Sequence, residues 1–401
     1  MQKLAIITSH PIQYYAPWFR YLTSTTNLAI KVFYLWDFGV TKQVDVGFGQ
    51  ALQWDIPLLN GYEYEFVPNV SSKPGVNHFW GLQNPSLVSQ VKAYKPDAVL
   101  LMLYNYASIY RFLGSWNSRQ TPLIFRGDSH RLVLSTGIKA WARQQFITQI
   151  YQRFNACLYV GKANYHYFRY HGVSPNNLFF SPHAVDNDRF FAQTEIAKQQ
   201  AIIWKRELGI PQDHGVILFA GKFDTVKRPL DLLQAFRQAK LDRVSLLFVG
   251  AGILENELKS QAAAQANIYF APFQNQSLMP RTYAIADLVV LPSYSETWGL
   301  AINEAMCLSR PVIVSNHVGC AQDLVSVGKN GLIFPAGDVC ALTASLQQAF
   351  SHREHLQHWG DESRKIISQY SYLQATQGLN QALDYTINHK LHLPTVSPLS
   401  N

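Results

Sequence analysis

At 401 residues the chain is longer than one hydrophobic core normally supports, so two domains are expected; 48% hydrophobic and 13% aromatic content excludes a disordered or fibrous protein. The net charge of +8 lies in one half: residues 1–190 hold 17 Lys and Arg against 9 Asp and Glu, and residues 191–401 hold the other 17 against 17. A basic half beside a neutral one points to an acidic partner or an anionic surface for the first domain. No recognised DNA- or RNA-binding motif accompanies it, which argues against nucleic acid.

The chain opens directly on a strand pattern, Leu4-Ala5-Ile6-Ile7, without a signal-peptide core, and no run approaches the roughly 20 apolar residues of a membrane span. Any membrane contact is therefore expected to be peripheral. Cys157, Cys307, Cys320 and Cys340 show no Cys-x-x-Cys spacing, and three of them sit in apolar patterns. Buried free thiols and a reducing cytoplasm fit that usage.

In chain order, short aliphatic runs alternate with longer helical patterns, which predicts an α/β protein of parallel sheets covered by helices. The strands expected in the first half are Leu4–Thr8, Ile30–Tyr34, Ala98–Leu103, Leu123–Phe125, Cys157–Val160 and Leu178–Phe180. Those in the second are Val216–Ala220, Ser245–Val249, Ile268–Phe270, Leu288–Leu291, Val312–Val314 and Leu332–Phe334. The reading is two Rossmann-like domains, 1–190 and 214–389, joined by a helix and linker over 191–213, with a loose tail at 390–401. The last helix before the tail is free to return to the first domain. In open parallel sheets ligands sit beyond the carboxyl ends of the strands, so the expected site is the cleft between two facing domains.

Between these strands, His130, Arg131, Lys139, Trp141, Arg143 and Arg153 alternate with Leu132, Val133, Leu134, Phe146 and Ile147. Two readings stay open: a face resting on anionic lipid headgroups, or an ordinary amphipathic helix whose apolar side is core.

Strand Val216–Ala220 ends in Gly221-Lys222, followed by Asp224, Lys227 and Arg228 at a helix entry. Cations there would neutralise a diphosphate, although a charged surface loop has the same composition. Gly250-Ala251-Gly252 after the next strand reads as tight strand-to-helix packing, not as a dinucleotide loop. Strand Leu288–Leu291 leads into the run Ser295-Glu296-Thr297-Trp298-Gly299-Leu300, which opens a helix carrying Glu304. A helix start presents unpaired N–H groups and the positive end of the dipole, and glycine lets a phosphate approach. The two carboxylates stand roughly 12 Å apart along the helical rise, a span that suits the two hydroxyl-bearing ends of a sugar nucleotide. Taken singly, either is an ordinary solvated Glu. Asp186-Asn187-Asp188 reads as a turn or helix cap, and no other cluster has metal-ligand spacing.

Together, Gly221-Lys222 with Lys227, Phe248 to Gly252, Ala286-Asp287 to Ser293, Glu296 to Glu304, Pro311 to Ile313, Val318-Gly319 and Gly337-Asp338 resemble the donor domain of glycosyltransferase family 4, with its GT-B fold. The resemblance implies a retaining enzyme without cofactor or metal that moves a sugar from a nucleoside-diphosphate sugar to a saccharide or lipid-linked acceptor, in cell-envelope or polysaccharide biosynthesis. It implies Lys222 and Lys227 at the diphosphate, Glu304 at the ribose, and Glu296, Thr297 and Trp298 at the sugar. Amides near Gly299 and Leu300 would meet the phosphates, with Phe273 and Gln274 flanking the base. A Ser309 stands where the family usually has glycine.

In the first half the Ser9-His10-Pro11-Ile12-Gln13-Tyr14 loop is similar to a bacterial subgroup of that family, which places His10 and Gln13 on the acceptor side. After Leu123–Phe125, Asp128 aligns beside the reacting carbon with His130 as rival, making Asp128, His130, Glu296 and Lys227 the expected catalytic set. A GT-B sugar-nucleotide epimerase and a non-catalytic sugar-nucleotide-binding subunit are the alternatives.

Overall fold

A computed structural model of the chain describes every residue except Lys42, 46–49, 134–136, His352 and 392–401. Leu134 of the basic stretch and the tail beyond Leu391 thus lie outside the described residues.

The first half forms β1 (Gln2–Thr8), β2 (Leu28–Tyr34), β3 (Gln43–Asp45), β4 (Gln50–Leu52), β5 (Glu63–Phe66), β6 (Ala98–Leu101), β7 (Leu123–Arg126), β8 (Ala156–Tyr159) and β9 (Leu178–Phe180). Seven of these make one parallel sheet in the order β5-β2-β1-β6-β7-β8-β9, while β3 and β4 pair apart as an antiparallel hairpin. The second half adds β10 (Gly215–Ala220), β11 (Val244–Val249), β12 (Ile268–Ala271), β13 (Leu288–Leu291), β14 (Val312–Ser315) and β15 (Gly331–Phe334). They form a parallel sheet in the order β12-β11-β10-β13-β14-β15.

Every strand read from the sequence is present, and the central strands are covered on both faces. All residues of β6 and β13 are buried, which produces the unbroken apolar runs typical of parallel sheets. Register follows: Ile6 of β1 lies opposite Val32 of β2 and Leu100 of β6. The edge strand β5 escaped sequence reading since Glu63-Tyr64-Glu65-Phe66 has no such run. Lys31 of β2 anchors it through Glu63 at 3.1 Å and Glu65 at 2.9 Å.

Within 191–213, the helix Thr194–Glu207 buries Ala197, Ala201 and Trp204 in the second domain's core. That core reaches across to Val160, Val185 and Phe190 of the first half, so the domains share apolar contact. The final helix, Tyr372–Leu391, crosses back to pack on β8, β9 and the helix Ala16–Thr25. There Trp18 Nε1 donates to Thr376 Oγ1 at 3.1 Å.

The chain order reverses between β1 and β6 in one sheet and between β10 and β13 in the other. Each reversal opens a crevice beyond the strands' carboxyl ends. The loops carrying the sequence motifs end there.

Candidate active site

A cavity of about 360 Å³ lies between the domains at these crevices. Lys222 and Lys227 reach it from the loop after β10, Phe273 and Gln274 from the loop after β12, and Glu296, Thr297, Trp298, Gly299 and Leu300 from the loop after β13. Glu304 faces it from the helix Leu300–Cys307. Gln13 and Asp128 enter from the first domain. His10 and His130 are not among the lining residues.

Local sequence explains the shape. Gly299 caps the helix Leu300–Cys307 at φ +100°, a conformation that favours glycine, and a Cβ there would sit 3.0 Å from Val318 and 3.1 Å from Leu291. Ile302, Ala305, Met306 and Cys307 are buried, which fixes the helix and turns Glu304 to the cavity. The helix's free N–H groups then open beside the two lysines.

Lys227 is ion-paired with Glu296. Burial lowers the pKa of its ammonium to about 8; neighbouring Lys222 pushes the same way and Asp224 opposes. Arg228, by contrast, is turned to Asp231, whose carboxylate it holds at 2.5 and 3.0 Å. Glu304 is 2% exposed, and its carboxylate accepts from Tyr283 Oη at 2.8 Å and from Gln276 Nε2 at 3.4 Å. Burial raises its pKa against the pull of Tyr283, Arg189 and Gln276. Arg189 also grips Gln276, donating to its backbone oxygen and to Oε1, each at 2.9 Å.

On the opposite wall, His183 Nε2 donates to Asp128 Oδ2 at 3.3 Å. Desolvation pushes the Asp128 carboxyl up, but the His183 bond and charge, the Thr297 hydroxyl and Arg126 bring it below its ordinary value. Burial lowers the pKa of His183, with Arg126 pushing the same way and the Asp128 hydrogen bond opposing. Its Nδ1, buried, has no hydrogen-bond partner among the described residues. The ring stacks on Tyr15 at 6.0 Å and abuts Trp298 at 5.7 Å.

His130 lies beside the cavity, in contact with the loop that carries Glu296. Its Nε2 donates to the Glu296 carbonyl at 2.7 Å and its Nδ1 accepts from Leu132 N–H at 3.2 Å. With both nitrogens engaged by main chain, the ring ties the two domains together. The Trp298 indole, 2% exposed, is also interdomain packing: Nε1 donates to Asn303 Oδ1 at 2.9 Å, and a Cβ on Gly161 would lie 2.4 Å from the ring. His10 meets Trp36 and Phe38 edge-on at 5.9 and 5.3 Å. Asp186 caps the helix Asn187–Ala192 by accepting from Arg189 N–H at 3.1 Å, the cap expected of that motif.

Sequence reading missed Trp54, Tyr14, Gln276, Tyr283 and His183. Trp54 faces Phe273 across the cleft at 6.5 Å, where the flanking residues 53–55 clasp 275–277 through Asn275 Nδ2 to Gln53 O at 2.8 Å and Ser277 N–H to Asp55 Oδ1 at 3.1 Å. Two of these had a signal: Tyr14 lies in the loop after β1 beside Gln13, and His183 follows β9 by three residues at the carboxyl edge of the sheet.

Beside the cavity, and sharing Thr297 with it, runs a groove of about 510 Å³. Arg131, Trp141, Arg143 and Tyr170 line its outer part, and Ser129, His130 and Ser295 its inner end.

Residues 200–366 match the family model of Glycosyl transferases group 1. That match covers most of the second domain, which supplies most of the cavity's lining. Among curated relatives, a D-inositol 3-phosphate glycosyltransferase of Geodermatophilus obscurus is 29% identical over 201 residues, 47% of this chain and 43% of its own length. Sulfoquinovosyl transferase SQD2 of Arabidopsis thaliana is 29% identical over 38% of this chain and 30% of its own. The chain thus spans less than half the length of these relatives. Among solved structures, a glycosyltransferase from Rickettsia africae superposes with a TM-score of 0.72 at 13% identity, covering 96% of this chain and 98% of that one. HepE of Anabaena, solved in complex with UDP, gives 0.71 at 17% identity over 96% and 100%. At such identities the likeness shows the fold, and that fold is the two-domain GT-B arrangement.

Proposed function

We propose that the chain is a retaining glycosyltransferase that moves a sugar from a nucleoside-diphosphate sugar to a saccharide or lipid-linked acceptor in cell-envelope or polysaccharide biosynthesis. The observation that carries this reading is the meeting of Lys222, Lys227, Glu296, Glu304 and the Gly299-Leu300 helix start around one cavity. Cations and helix N–H groups suit the diphosphate; carboxylates suit the polyol ends. In this reading residues 1–190 supply the acceptor side and 214–389 the donor side.

In the reaction, the bond between the anomeric carbon and the diphosphate oxygen breaks while an acceptor hydroxyl attacks from the same face. The departing phosphate takes the hydroxyl proton. Lys222, Lys227 and the Leu300 helix stabilise the charge it gains, and the ionised Asp128 favours the positive charge on the sugar. The groove that shares Thr297 with the cavity gives the acceptor its approach. Otherwise the protein's work is positioning.

HepE's complex with UDP makes UDP-sugars the first donors to try. A thermal-shift series with UDP-, GDP- and ADP-sugars should show one base stabilising the protein, since a ligand of the folded state stabilises by mass action. No shift with any of them, in wild-type protein that is folded, would remove the proposal.

A further inference from the structure

The helix Ile138–Tyr151 is seated on the first domain by its C-terminal half alone. Ile147, Ile150 and Tyr151 are buried, whereas Ile138, Trp141 and Phe146 are 85%, 62% and 51% exposed. A helix whose apolar stripe served only the core would bury them. The exposed surface continues beyond the helix: Phe146 stacks on Tyr110 at 5.7 Å, Tyr110 meets Phe79 at 5.3 Å, and Phe79 meets Trp80 at 4.9 Å. Trp80 is itself 61% exposed. Single exposed apolar residues are ordinary, but a joined strip of this kind marks an interaction surface.

The charge around the strip has one sign. Residues 98–185 hold nine Lys and Arg and one carboxylate, Asp128, which faces the cavity. Lys139 and Arg143 ride on the helix itself, Arg111 follows Tyr110, and the Arg131 guanidinium lies 3.4 Å over the Tyr170 ring. Tryptophan and aliphatic side chains flanked by Lys and Arg suit the headgroup level of a bilayer, where each basic residue near an anionic surface strengthens binding about fivefold. A second copy fits poorly, because a two-fold contact would set these cations against themselves.

We propose that this face docks the protein on an anionic lipid bilayer, with Ile138, Trp141, Phe146 and Trp80 entering the headgroup boundary and Lys139, Arg111 and Arg143 meeting lipid phosphates. Trp141 and Arg143 also line the groove that adjoins the cavity, so docking brings the groove's outer end to the lipid surface. The contact is peripheral: among the described residues no helix is long and apolar enough to cross a membrane. It is independent of the transfer reaction and is tested without it.

The full chain is sedimented with vesicles of phosphatidylcholine alone and of phosphatidylcholine mixed with phosphatidylglycerol, in low and high salt. Binding to the mixed vesicles only, weakening as salt screens the surface, is expected. The double variant Ile138→Glu/Lys139→Glu should lose at least about tenfold in partitioning, and Trp80→Ser should weaken it as well. All these positions are exposed, and an unchanged melting temperature confirms folding. Equal partitioning to both vesicle types, none to either, or wild-type binding by the folded double variant would overturn the proposal. So would a solution dimer that Ile138→Glu returns to monomer, which would make a second copy the occupant.

Discussion

Lys227 offers the sharpest test of the cavity, because burial has placed its titration within an accessible pH range. With its pKa near 8, the side chain is mostly ammonium at pH 7 and mostly neutral at pH 9. If only the ammonium form meets a diphosphate, the apparent Kd for a UDP-sugar scales as one plus ten to the power of pH minus pKa. From pH 7 to pH 9 that is a weakening of about tenfold, or about 1.4 kcal/mol. The sign is fixed: a lysine that must be charged supports binding below its pKa and loses it above. Bound phosphate raises the pKa again, so binding at pH 8 should take up about half a proton per donor. Calorimetry at pH 7, 8 and 9, in two buffers of different ionisation enthalpy, measures both quantities. Lys227→Met should bind weakly and without this slope. A flat profile in wild type, or the same slope in Lys227→Met, would refute the role given to this ammonium.

Three further outcomes follow from the geometry. Glu304→Ala should abolish transfer, with donor Kd rising from about tenfold to about a hundredfold as charge-assisted bonds to a hydroxyl pair are lost; Glu304→Gln, which keeps an acceptor for Tyr283, should melt near wild type while still binding donor weakly. His183→Ala removes the donor that offsets desolvation at Asp128, so the Asp128 pKa rises and the acid limb of kcat/KM against pH moves to higher pH; an unmoved limb would mean Asp128 is not the group that must ionise. Ser309 sits at φ +57°, where glycine is at ease and serine is strained. Ser309→Gly should therefore raise stability by about 0.5–1 kcal/mol in urea unfolding, the relief of left-handed strain less the entropy of a glycine.

What could be read from the sequence, and what could not, divides along a physical line. The β6 and β13 runs and the Gly299 turn are local: burial on both faces or a positive φ dictates a residue type within a few positions. The same holds for Lys222, Lys227, Glu296 and Glu304, which are read off strand ends and one helix start. Tyr283, Gln276 and Trp54 are different. Each reaches the cavity from another element, and Tyr and Gln on a helix or loop look the same whether they hold a buried carboxylate or face water. His130 shows the same limit, since a histidine after a strand's carboxyl end invites a chemical role whatever else it touches. Its bond to the carbonyl of Glu296, 166 positions away in sequence, is a domain contact that no local pattern announces.

These long-range partners make the site a property of the closed pair of domains. Asp128 belongs to the first domain, yet the Thr297 hydroxyl that helps lower its pKa belongs to the second. Glu296 holds Lys227 through its side chain and receives His130 through its backbone, so the loop that lines the cavity also joins the two domains. Asp55 and Ser277 close the far rim in the same way. Parting the domains would withdraw Thr297 from Asp128, release the Glu296 loop from His130 and separate Trp54 from Phe273 in one motion. The carboxylate that is to face a developing positive charge is therefore fully set only when both walls are in place. In the proposed transfer, bringing both walls together would couple donor capture to the electrostatics of the reacting carbon.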